Sequence, residues 1–216
     1  MNIKIEIPTS LDDITLRAYK KYLKLLDNKI EIRLLKAEMI HIFCNVNLKD
    51  VYGMKYNDTE EVVSILNNMF DSKLPLKKHF ILNKVEYGFY PSLDEMSLGE
   101  YIDLDTYIGD WDNIEKAMNV LYRPVTAKLK HKYSIDKYNV DNADNILDMP
   151  MSAVTSSVFF FLTLGIDLSK TMRKYLDKGQ EKVLTDYLNL QPNGVGINHF
   201  MNSLEEMLQN LKISLN

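Results

Sequence analysis

The feature that most restricts the fold is AVTSSVFFFLTLGI (Ala153–Ile166), an apolar run inside the longest predicted helix, about residues 150–177. A bilayer span needs about 20 predominantly apolar residues. This run has 14, and Thr155, Ser156, Ser157, Thr163 and Gly165 interrupt it. It reads as a buried core helix opened by Asp148 and Pro150. Membrane contact through Val154–Leu164 is the minor reading.

The preceding segments read as short helices and strands. Ile3, Ile5 and Ile7 alternate with Lys4 and Glu6 and predict a short strand stopped by Pro8. Ser10 or Asp13 then caps a helix of about 12 residues with Leu16, Tyr19, Leu23 and Leu26 on one face. Asp27-Asn28 ends it, and a second helix carries Ile32, Leu35, Met39, Ile42 and Phe43. A third starts at Asn57 or Asp58 and runs through EEVVSILNNMF. The period changes at His79–Pro91, where Asn83-Lys84 separates two short apolar runs, the mark of a hairpin near residues 79–90.

Residues 96–124 hold six carboxylates, three tyrosines and the single tryptophan. Ser97 caps a helix Leu98–Ile108 that Gly109 ends, and a second helix follows Asp110 or Asp112 until Arg123-Pro124 stops it near Tyr122. An EF-hand needs Gly at loop position six, but counting from Asp103 gives Ile108 and from Asp110 gives Glu115. No His is present for a carboxylate-bridged metal pair. Leu98, Tyr101, Ile102 and Ile108 form one stripe, and Trp111, Ile114, Ala117, Met118 and Leu121 another, so the segment predicts two helices burying a shared seam. The acids then mark the wet faces, and Tyr101, Asp103, Asp105, Tyr107, Asp110, Trp111, Tyr122 and Arg123 form a candidate interaction surface.

Other chemistry is sparse. His41, His79, His131 and His199 are scattered, and the lone Cys44 follows Phe43 on an apolar face. One cysteine excludes an internal disulfide and a multi-cysteine metal site. PNGVG (Pro192–Gly196) lacks the Lys and Ser/Thr of a phosphate loop. Lys128, Lys130, His131, Lys132 and Lys137, with Tyr133 and Tyr138 between them, make a basic run diluted by Asp136, Asp141 and Asp144. A net charge of −4 argues against a general nucleic-acid binder. The 22 Lys against four Arg, with 19 Asn, fit AT-rich coding. No catalytic, cofactor-binding or metal-ligating residue is assigned. The N-terminus has no apolar core of a secretory signal.

The expected fold is mainly α with a small β element, an α+β class. Residues 1–125 form an N-terminal helical part with the hairpin, 126–147 a polar loop, and 148–216 a C-terminal helical part that packs with the first as one unit. Helices are also expected near 180–189 and 197–212.

Three stretches, IPTSLDDITLRAYKKYLKL, FYPSLDEMSLGEYIDLDTYIGDW (Phe89–Trp111) and KAMNVLYRPV (Lys116–Val125), resemble a family of virion-associated proteins of tailed bacteriophages, the crAss-like phages of gut bacteria. The resemblance covers roughly residues 3–125, with a weaker echo in the 150–177 helix, and its most specific words are GEYIDLD and LYRP. It implies a structural or packaged cargo protein near the capsid, portal and tail, without enzymatic activity or cofactor. It also implies localisation to the virion after synthesis in the host cytoplasm. Partners would be portal, tail or capsid proteins, or further copies of the chain. The alternative is a tail-assembly chaperone that binds tape-measure or tail proteins and is missing from the finished particle.

Overall fold

The computed structural model describes residues 5–28, 30–71, 74–130 and 132–176, with side chains as far as Leu164. Their order is α1 (Leu16–Asp27), α2 (Ile32–Phe43), α3 (Leu48–Tyr52), α4 (Tyr56–Phe70), β1 (His79–Leu82), β2 (Val85–Phe89), α5 (Leu98–Tyr107), α6 (Ile114–Leu121), β3 (Tyr122–Leu129), β4 (Lys132–Ile135) and α7 (Met151–Leu176). The class is the expected α+β.

The opening turns of α7 are the centre of the packing. Every residue from Met151 to Val158 is buried. The hydroxyls that interrupt the apolar run do not need water, because they turn back onto the helix. Thr155 donates to Met151 O (2.8 Å) and Ser157 to Val154 O (2.9 Å), while Ser156 Oγ accepts from the Lys77 N–H (3.1 Å). A buried hydroxyl satisfied in this way avoids the desolvation cost of an unpaired one. Among the described residues no helix is long and apolar enough to cross a membrane.

Two helix starts far apart in sequence cap each other. The first N–H groups of a helix lack intrahelical acceptors. In α1, Leu16 N–H donates to Met149 O (2.9 Å) and Arg17 N–H to Leu147 O (2.8 Å). In α7, Met151 N–H donates to Ile14 O (2.8 Å) and Ser152 N–H to Leu11 O (3.2 Å). Thr15 and Pro150 form the antiparallel bridge between the two leader segments. The α1 cap is Thr15, whose Oγ1 accepts from the Ala18 N–H, rather than Ser10 or Asp13. Asp13 is already used in the preceding turn, accepting from the Thr9 and Ser10 N–H groups.

The four strands form one antiparallel sheet in the order β1-β2-β3-β4. Asn83 and Lys84 carry φ of 51° and 67°, the two positive values that a type I′ hairpin turn requires. Between β2 and β3 the chain leaves the sheet to make α5 and α6, then re-enters with Phe89 opposite Tyr122.

Two expectations fail here. Residues 5–8 form no strand; Ile5 and Ile7 pack against the core as extended chain, and Ile3 and Lys4 lie outside the described residues. The region 126–147 is not a structureless loop. It holds most of a second hairpin, β3–β4, and a 3-10 turn at Val140–Ile146 whose Ala143 and Ile146 are buried. Arg123-Pro124 ends α6 by passing straight into β3. The helices expected near 180–189 and 197–212, and the turn at Pro192–Gly196, lie outside the described residues.

Candidate interaction surface

Helix α5 is oriented by its own first turn. Ser97 and Glu100 make a capping box: Glu100 N–H donates to Ser97 Oγ (3.3 Å), and Ser97 N–H donates to Glu100 Oε2 (2.8 Å). The remaining Glu100 oxygen, Oε1, lies 2.9 Å from Arg123 Nη1, and the two side chains are only 9% and 7% exposed. Tyr90 closes the cluster, its hydroxyl donating to Glu100 Oε2 (3.3 Å) and its ring lying 4.9 Å from the Arg123 guanidinium. Burial pushes the Glu100 carboxyl up, but the Ser97 hydrogen bonds and the Arg123 charge outweigh it and hold the group below its ordinary value.

This arrangement inverts the expected amphipathicity of α5. Glu100, Leu104 and Ile108 face inward at four-residue steps. Leu98, Tyr101 and Ile102 are therefore turned to solvent, 75%, 54% and 52% exposed. The predicted stripe of Leu98, Tyr101, Ile102 and Ile108 is thus split between two faces. The physical reason is the buried ion pair: a carboxylate paired with Arg123 occupies the interior position that an apolar residue would otherwise take. The second predicted stripe is buried as expected, with Ile114, Ala117, Met118 and Leu121 in the core and Trp111 packed 5.1 Å from Tyr19, ring to ring.

The candidate surface residues consequently divide. Tyr101 is exposed, and Asp103, Asp105, Tyr107 and Asp110 are half-buried. Asp103 accepts from the Tyr138 hydroxyl (2.7 Å), and Tyr107 lies under the Lys116 ammonium (4.6 Å). Tyr122 and Arg123 are interior, not surface: the Tyr122 hydroxyl reaches Lys77 O (2.8 Å) and Ala153 O (3.2 Å), deep against α7. Trp111 likewise faces the core. Sequence periodicity missed Leu98 and Ile102 as exposed residues, because the interior place of Glu100 depends on Arg123, which no spacing near α5 announces.

Of the basic run, Lys128 and Lys132 lie on the strands of the second hairpin and Lys130 at its turn, Lys137 follows β4, and His131 lies outside the described residues. Beyond Val125 the ribbon turns outward: Thr126 to Lys130 are exposed, with Leu129 at 76%, as are Lys132 and Ser134 of β4, while Tyr133 between them stays half-buried. Lys130 makes the turn with φ of 55°. Lys128 folds back onto Glu86 (2.6 Å). Tyr133 and Tyr138 point into the protein, donating to Phe89 O (2.5 Å) and to Asp103, so neither ring offers a stacking platform for bases.

A cleft of about 540 Å³ opens between α5 and β4, lined by Tyr90, Glu95, Glu100, Arg123, Lys137 and Tyr138. Its buried charges, Glu100 and Arg123, are paired with one another. Among the described residues no three of His, Cys, Asp and Glu come together as a metal site. His41 Nδ1 is 2.7 Å from Val46 O and His79 Nδ1 is 3.2 Å from Glu86, and Cys44 is buried with its thiol pushed up to about 11. What the arrangement offers is contact area. Nine carboxylates and no Lys, Arg or His fall between Val85 and Glu115, and the exposed apolar face of α5 lies in the middle of that acidic stretch.

In comparisons with models of protein families, with curated proteins and with solved structures, nothing matches this chain.

Proposed function

We propose that the chain is a non-enzymatic component of a tailed-phage particle, structural or packaged, held in the capsid–portal–tail assembly by protein–protein contacts. One observation carries this reading: Leu98, Tyr101 and Ile102 are turned outward on a helix whose interior position belongs to Glu100. An exposed apolar face set among acids, built on a rigid capped helix, is suited to docking rather than to catalysis. The resemblance to phage virion proteins supports the same reading from sequence. Its two most specific words, GEYIDLD and LYRP, are joined in space through Glu100 and Arg123.

Quantitative mass spectrometry of purified particles tests the proposal. A fixed copy number per particle is the expected result. Presence in infected cells with absence from particles removes the virion role and leaves the tail-assembly chaperone, and absence from both removes the phage reading.

A further inference from the structure

We infer that this chain self-associates head to tail, the tip of the β3–β4 hairpin of one copy docking on the exposed face of α5 in the next. Two surfaces of opposite character sit on the same molecule. One is Leu98, Tyr101 and Ile102 of α5, a helix preceded in the chain by the exposed acids Asp94 and Glu95 and followed by exposed Asp112. The other is the hairpin tip, where exposed Leu129 lies between Lys128 and Lys130 with Lys132 across the strand pair. Each combines an apolar centre with charge of one sign, and the signs are complementary. Such pairing steers association and fixes which patch meets which.

The hairpin itself supplies the second argument. A two-stranded hairpin standing on its own is marginally stable in water. Here β3 pairs with β2 only as far as Pro124, Tyr133 is bonded to Phe89 O and Lys128 reaches back to Glu86, while Leu129, Lys130 and Lys132 at the end of the ribbon stay exposed. A partner seated on the tip would cover what the chain leaves bare. The contact uses different surfaces on the two copies, so it propagates into a ring or a filament rather than stopping at a symmetric pair. The inference does not depend on the phage reading, since it concerns the purified chain alone.

The test is sedimentation equilibrium of the full chain at low and at high ionic strength, with two variants. Lys130→Glu with Lys132→Glu spoils the tip and leaves the α5 face intact; Leu98→Lys with Ile102→Lys does the reverse. All four positions are exposed, and circular dichroism checks that each variant keeps its fold. The wild-type chain is expected to form species larger than the monomer, weakened several-fold by salt, while each variant alone stays monomeric. An equimolar mixture of the two variants retains one good tip and one good face, and should give a dimer and nothing larger. A wild-type chain that is monomeric at every concentration overturns the inference. So does a tip variant that still associates alone, or a mixture that fails to pair while the wild type assembles.

Discussion

The ring of Tyr133 on β4 lies directly over Gly88 of β2, reaching across the intervening strand β3. A Cβ added at Gly88 would stand 2.7 Å from Tyr133 Cε2 and 3.0 Å from Val125 Cγ2. The glycine is there because a neighbouring ring passes through the space a side chain would fill. Gly88→Ala is therefore expected to cost about 1–3 kcal/mol of overpacking. Urea unfolding of Gly88→Ala, Tyr133→Ala and the double variant checks this, with the double variant losing less than the sum of the two.

The Glu100–Arg123 pair gives a larger expected loss. Removing one partner leaves a buried charge without compensation, at a cost of about 3–5 kcal/mol. Glu100→Gln keeps the shape and removes the charge, and its midpoint in urea should fall accordingly. Glu100→Gln combined with Arg123→Met should be less damaging than the two losses added, since neither charge then remains buried alone.

Acid should expose the same pair. Glu100 is held below its ordinary value of 4.5, so its contribution to stability is complete above that value and is lost as pH falls through the lower, folded one. Asp148, held down chiefly by its hydrogen bonds from Arg17, adds in the same direction. Stability of the wild type should decline below about pH 5, and the Glu100→Gln profile should be flatter over that window. Urea titrations at successive pH values measure both.

At the start of α1 a neutral cap should matter more than an ion pair. Thr15→Ala removes the acceptor for the Ala18 N–H and is expected to cost about 1 kcal/mol. Arg17 binds Asp148 through two hydrogen bonds of 2.7 and 3.1 Å, but the side chains are 57% and 49% exposed. Arg17→Ala should accordingly cost no more than about 1 kcal/mol, and less at high salt. Thermal unfolding of the two variants with and without salt separates the effects.

Cys44 provides a probe of opening. A thiolate is the reactive form, and burial holds this thiol near 11. Iodoacetamide at mildly alkaline pH should modify it slowly in the folded chain and rapidly in urea. Mass spectrometry of the labelled protein reads the rate.

Elements governed by near neighbours were legible in the sequence. The I′ turn at Asn83-Lys84, the Ser97 cap and the burial of the Ala153–Ile166 run as far as Val158 each follow from residues within a few positions. What depended on distant partners was not. The outward turn of Leu98 and Ile102 is set by Arg123, 23 positions after Glu100. In the β3–β4 hairpin only the four residues of β4 alternate, with Tyr133 and Ile135 half-buried, while Thr126 to Leu129 of β3 are wet on both faces, so period two is recorded over too short a run to read. At the N-terminus the reverse holds: Ile5 and Ile7 alternate like a strand, but no neighbouring strand pairs with them among the described residues.

The mutual capping of α1 and α7 has a consequence for synthesis. On the ribosome the first helix emerges long before Leu147 and Met149 exist, a delay on the order of ten seconds at roughly 5–20 residues per second. Until then Leu16 and Arg17 must give their N–H groups to water. The nascent chain holds an unfinished helix start open throughout that delay, and a messenger cut short before the codon for Leu147 would yield a product in which that start is never closed.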